Sequence, residues 1–158
     1  MVGAILTQNT AWSNVEKAIA NLVVKDKLHP RAIVNSRHDH LAGWLRPSGY
    51  FNIKAQRLKS FCRWYLDAGE FDGLDRLDSD DLRKALLGVN GVGPETADDI
   101  LLYAFNRPVF VIDAYTRRMF TRLGRFSGDE GYEVMRADFE QALGPDTRLF
   151  NEYHALIV

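Results

Sequence analysis

One cysteine, Cys62, is the whole thiol content of these 158 residues, so no internal disulfide can form and the cytosol is the simplest home. No run of 18 apolar residues occurs, which leaves nothing to span a membrane as a helix. The apolar start, Val2 to Leu6, has no basic lead and no cleavage-like site, so it does not read as a signal peptide. No internal repeat or low-complexity tract is present. Lysine stops at Lys84; no amine side chain follows it. An excess of positive charge is missing too: 20 Lys and Arg face 21 Asp and Glu, for a net charge of −1. That balance argues against a generic nucleic-acid binder.

The charge is unevenly spread. Residues 1–66 hold ten Lys/Arg against three Asp/Glu, whereas residues 67–158 hold ten against eighteen. A lopsided chain can still offer a basic groove, because local charge governs phosphate contact. Arg46, Lys54, Arg57, Lys59 and Arg63 crowd one stretch and fit either such a groove or a solvated helix face.

Apolar periodicity predicts an all-α fold, with helices near 2–24, 38–45, 53–68, 80–88, 94–105, 114–124, 131–143 and 146–158. In 53–68, Ile53, Leu58, Phe61, Cys62, Tyr65 and Leu66 recur at core-helix spacing. Val109 to Ile112 is the one strand-like run, and it has no obvious partner.

The stretch LGVNGVGPETADDILLYAFNRPVFVIDAYTRR, Leu87 to Arg118, is the most informative. Gly91-Val92-Gly93 permits positive φ and close approach of another molecule. Pro94 suits the first turn of a helix, whose free N–H groups would then face back into the hairpin and attract an anion such as phosphate. Taken alone, the glycines fit an ordinary αα-corner. Asp113, 20 residues beyond Gly93, follows the apolar run and opens a helical segment, where an aspartate is usually only an N-cap.

Helix, glycine hairpin, helix and then aspartate, in this order and spacing, resembles the endonuclease III (HhH-GPD) superfamily of DNA glycosylases. The likeness runs from Gly3-Ala4-Ile5-Leu6-Thr7-Gln8-Asn9-Thr10 to Tyr153-His154-Ala155-Leu156-Ile157. It implies a two-lobed helical fold, with about 20–124 as the hairpin-bearing lobe, 1–19 with 125–158 as the second, and Asp113 at the cleft. Against that family the chain reads as truncated at both ends. The resemblance implies that Asp113 is the catalytic carboxylate. It also implies DNA contacts at Gln8, Tyr50, Asn52, Lys54, Gly91, Val92, Gly93, Glu95 and Thr96, with Gln8 and Tyr50 as wedges, and a pocket aromatic at Trp12. If 2–24 is one helix, Trp12 lies a turn beyond Gln8 on the same face. Asp98 and Asp99, the competing acids, read as surface or capping groups.

Bifunctional members carry a lysine two residues after the hairpin's last glycine; here that residue is Glu95. A carboxylate cannot form the Schiff base of a lyase. Glu95 is similar to the variant in the 3-methyladenine DNA glycosylase III branch, which implies a monofunctional N-glycosylase acting on an alkylated purine. A glycosylase/lyase and a non-catalytic DNA-binding module are the alternatives. The implied partner is double-stranded DNA with a damaged base, bound by a monomer. No cofactor is expected, apart from a monovalent cation at the hairpin. A [4Fe-4S] cluster would need a cysteine cluster after Val158.

Overall fold

The computed structural model describes residues 1–158 as eleven α-helices without a strand. They are α1 (Val2–Leu6), α2 (Trp12–Val24), α3 (Pro30–Asn35), α4 (His38–Leu45), α5 (Phe51–Asp67), α6 (Glu70–Asp75), α7 (Ser79–Leu87), α8 (Pro94–Phe105), α9 (Ala114–Arg122), α10 (Tyr132–Leu143) and α11 (Thr147–Ile157). A 3₁₀ turn, Arg46–Ser48, links α4 to α5. The chain divides into two compact units, Met1–Val92 and Gly93–Val158.

In the first unit, α3 and α4 pack on α5. Ile33, Leu41, Leu45, Ala55, Leu58 and Phe61 make the apolar interior there. The helix expected over 2–24 is two helices. Thr7, Asn9 and Thr10 offer side chains that compete with helical backbone pairing: the Thr7 hydroxyl donates back to the Gly3 carbonyl. Asn9 then turns left-handed, at φ 56°. Gln8 therefore sits in a turn and Trp12 begins a new helix, so they do not share a helix face. The six-residue α3 and α6 escape a periodicity reading because neither is long enough to show one, although Pro30 at the start of α3 is a fair signal.

In the second unit, α8 spans the expected 94–105, opened by Pro94 and closed by left-handed Asn106 at φ 54°. The run Val109–Ile112 is extended and buried but pairs with no strand. Side chains satisfy its backbone instead. Phe110 N donates to Glu140 Oε1 at 2.9 Å, and Ile112 N donates to the Tyr132 hydroxyl at 3.4 Å. Phe110 is the centre of this unit's core. It stacks on Phe139 at 4.3 Å between centroids and meets Phe150 edge-on at 5.4 Å. The same run delivers Asp113 to the head of α9.

Candidate functional site

The sequence-predicted residues fall into two groups, one in each unit. In Met1–Val92 the centre is Gln8. Its Nε2 donates to the Gly91 carbonyl at 2.9 Å, and Arg57 Nη1 donates to its Oε1. Gly91 adopts φ 89°, and a Cβ there would collide with the Arg57 side chain, so glycine is required twice over. Gly93 differs: its φ is −96° and the space beside it is open. Only one of the two glycines is therefore needed for backbone conformation. Val92 turns its side chain inward, leaving its backbone as the group it can offer a ligand. The hairpin carbonyls of Val89 and Gly91 already accept hydrogen bonds, from Val92 N and Gln8 Nε2. A cation there would share them.

Lys54 corrects an expectation. It is 1% exposed, and its ammonium donates to the carbonyls of Leu6, at 2.8 Å, and Ser48. Burial, reinforced by the neighbouring Arg57 charge, pulls its pKa down to about 8. An ammonium so placed is not free for a DNA phosphate. It braces the end of α1, two residues before Gln8, against the turn two residues before Tyr50. Two more residues of the basic stretch are engaged within the fold, since Arg57 serves Gln8 and the Lys59 ammonium donates to the Ser36 carbonyl, while Arg46 and Arg63 are exposed. Tyr50 is 68% exposed and held left-handed at φ 44°, a strained conformation for a tyrosine. Asn52 is exposed on the first turn of α5. Trp12 is 54% exposed and rests on Gly3, where a Cβ would come within 3.1 Å of its ring.

In Gly93–Val158, Asp113 is both cap and candidate. Its Oδ1 accepts from Thr116 N at 2.7 Å, while Oδ2 faces His154 Nε2 at 3.8 Å. Glu95 is exposed on the first turn of α8, yet its carboxyl is held above the ordinary range by desolvation and then by the Asp113 charge. The Thr96 side chain is buried, so it offers a ligand only its backbone. Asp98 and Asp99 correct a further expectation. Asp98 is 0% exposed and hydrogen-bonded to the Tyr132 phenol, whose pKa is raised by burial and by that carboxylate. Asp98, Tyr132 and Ile112 N thus form a buried chain that fixes the residue before Asp113. Asp99 is pushed up to about 7, by burial first and then by Glu95, Asp113 and Asp98.

The chemistry this permits is specific. Glu95, Asp98 and Asp113 lie near enough to Asp99 to raise its pKa, this unit has no lysine, and burial lowers the pKa of its one histidine, so a cation beside these carboxyls would be favoured. Sequence reasoning missed His154, Tyr103 and Tyr132, because only tertiary packing brings them to this place. No helix is long and apolar enough to cross a membrane. Cys62, buried in α5, does not make up the four-thiolate ligand set of an iron–sulfur cluster.

Residues 2–145 match the family model described as HhH-GPD superfamily base excision DNA repair protein. A Methanocaldococcus jannaschii protein named as a DNA repair glycosylase is 48% identical over 161 residues, covering 100% of this chain and 73% of that protein. Helicobacter pylori 3-methyladenine DNA glycosylase, solved with 1,N6-ethenoadenine, superposes with a TM-score of 0.79 at 32% identity, over 89% of this chain and 66% of that one. An endonuclease III in non-covalent complex with DNA superposes with a TM-score of 0.81 at 20% identity, over 99% and 69% of the two chains. That last likeness is one of fold.

Proposed function

The chain belongs to the HhH-GPD superfamily of base excision DNA repair proteins, and from that premise we propose that it is a monofunctional N-glycosylase acting on a flipped, alkylated purine. The observation that carries the reading is chemical. Two residues past the hairpin stands a carboxylate, Glu95, whose pKa is raised by desolvation and then by the Asp113 charge, and no lysine occurs anywhere in Gly93–Val158.

A base within the duplex is inaccessible, so the nucleotide must leave the stack, at a cost of a few kcal/mol that is least for a damaged base. Gln8 and the exposed, strained Tyr50 are the groups to fill the gap. The glycine hairpin, with Gly93 as the N-cap of α8, would hold a backbone phosphate. Departure of the base leaves an oxocarbenium-like sugar. Asp113, with one oxygen spent on the α9 cap, presents the other to that charge and to the attacking water. Trp12 offers an indole face, which attracts the positive charge carried by an N-alkylated purine.

The test is an excision panel on duplexes carrying alkylated purines, oxidised pyrimidines and mismatched thymine. The expected product is an intact strand with an abasic site, cut only after alkali. Strand cleavage without alkali would overturn the monofunctional assignment, and excision confined to pyrimidines would overturn the substrate class. An absence of excision from all substrates, with DNA binding intact, would favour a binding module.

A further inference from the structure

His154 lies in α11, which packs against both α8 and α9. It is 7% exposed, and its two ring nitrogens have different surroundings. Nδ1 is hydrogen-bonded to the Tyr103 hydroxyl of α8 at 2.7 Å. Nε2 has no hydrogen-bond partner and points at Asp113 Oδ2, 3.8 Å away. That separation exceeds a hydrogen bond by somewhat less than an ångström. A buried polar nitrogen without a partner is costly, and one aimed at a candidate catalytic carboxylate calls for a reason.

We infer that His154 is a positioning residue for Asp113: anchored by Tyr103, it presents a neutral Nε2–H to the carboxylate's free oxygen and fixes its direction without cancelling its charge. The inference rests on the reading of Asp113 as the carboxylate that meets the developing cation. The tautomer follows from the partners. A phenol that donates to Nδ1 leaves the ring proton on Nε2, facing an acceptor. The reverse tautomer would set a lone pair against a carboxylate oxygen. Neutrality matters as much as direction, since a lysine or arginine in this place would pair with Asp113 and weaken its pull on the sugar. Burial favours the uncharged imidazole, against the opposing influence of Asp113.

The titratable groups around the ring are consistent with this. Tyr103 faces it from α8, which also bears Glu95, Asp98 and Asp99, and Asp113 faces it from the head of α9. On its own helix, Glu152 pairs with Arg148 and Tyr153 packs on Phe110. The arginines of α9 nearest Asp113 are turned to other partners: Arg117 donates to the Gly128 and Glu130 carbonyls, and Arg118 lies over the Tyr115 ring. Protonation of His154 at acid pH would create an ion pair and take away the charge that the chemistry uses, so excision should decline on the acid side.

The experiment has two arms. In the first, nitrogen NMR of the intact chain reads the His154 tautomer and its titration. The Nε2–H form is expected, and Asp113→Asn should lower the His154 pKa by removing the charge that raises it. An Nδ1–H tautomer, or a titration indifferent to Asp113→Asn, overturns the inference. In the second, single-turnover excision is followed against pH. His154→Phe should lower the rate on the order of 10–10²-fold, the scale of a misplaced reacting group, at unchanged DNA affinity. His154→Gln, which keeps an N–H donor, should recover most of it and abolish the acid-side decline. A His154→Phe enzyme with wild-type rate and pH profile overturns the inference. Tyr103→Phe, a change at a partly exposed residue, provides the check should His154→Phe not fold: a mixed tautomer and a reduced rate are expected, and an unchanged tautomer and rate overturn the inference. Failure of the wild type to excise any base would sink the proposed function, and the NMR arm would still decide the pairing.

Discussion

Gln8 and Gly91 are 83 residues apart in sequence, yet the amide of one donates to the carbonyl of the other at 2.9 Å. A candidate wedge is thus parked on the very hairpin expected to grip the DNA backbone. Arg57 holds the other end of the same amide and packs over Gly91. For Gln8 to enter a duplex it must release that carbonyl, so wedge insertion and any rearrangement of the hairpin are energetically linked.

The two hairpin glycines should respond differently to substitution. Gly91→Ala meets both a positive φ of 89° and the Arg57 side chain. The left-handed backbone alone costs about 1–2 kcal/mol for a residue with a Cβ, so the melting temperature should fall by several degrees. Gly93→Ala meets neither, and its stability should stay close to wild type. Its new methyl group would stand where a phosphate approaches, so binding should weaken for all DNA sequences alike. Thermal melts beside DNA titrations check both. A Gly93→Ala protein with undiminished affinity would remove the hairpin from the interface.

Asp113→Asn separates the cap from the catalyst. Asparagine caps a helix about as well as aspartate, so α9 should remain intact and stability nearly unchanged. The negative charge disappears, and loss of one well-placed electrostatic group costs ~10²–10³ in rate. Single-turnover excision should fall by that factor while DNA affinity holds. Near-normal excision would show that Asp113 is a cap and nothing more.

What the sequence disclosed and what it hid follow from the range of the interactions concerned. The bounds of α8 were readable because Pro94 and the Asn106-Arg107-Pro108 stretch are local signals. The place of Asp113 at the head of α9 was readable because an aspartate ahead of a helical segment is a local cap signal too. Lys54 was misread as a surface charge, although a warning was present: Lys54, Leu58 and Phe61 lie at i, i+4 and i+7, the buried face of α5. Its burial depends on two carbonyls, Leu6 and Ser48, whose approach no spacing rule predicts. His154 stands four residues after Phe150 on the buried face of α11, which marks it as internal. That it faces Asp113 is a property of packing alone.

Asp99 should make stability depend on pH. Its folded pKa is raised from 3.8 to about 7, so between those values the unfolded chain has released a proton that the folded chain retains. The stabilisation is therefore complete below the unfolded value and is lost as pH rises through about 7. Asp99→Asn keeps the shape and removes the titration. Relative to wild type, the variant should gain melting temperature at pH 8 and gain little at pH 4. Parallel melting curves for the two proteins across that range would show that Asp99 ionises freely in the fold.

The proposed absence of elimination turns on Glu95, and it can be tested covalently. Borohydride reduces a Schiff base to a stable adduct, so an amine attacking the sugar leaves protein bound to DNA. Wild-type chain with abasic-site DNA should give no adduct, because the residue at the attacking position is a carboxylate and Gly93–Val158 supplies no lysine. Lys54 is no substitute, being buried with its ammonium engaged by two carbonyls. Glu95→Lys should introduce weak trapping, since the surroundings that raise the Glu95 pKa by desolvation would lower that of an amine and free its lone pair. The nearby Asp113 charge would act in the opposite sense, so the gain should be modest and should grow when Glu95→Lys is combined with a higher pH. Efficient trapping by the wild type would refute the monofunctional reading and direct attention to the amine at Met1. A Glu95→Lys protein that binds abasic DNA but never traps would show that position 95 does not reach the sugar.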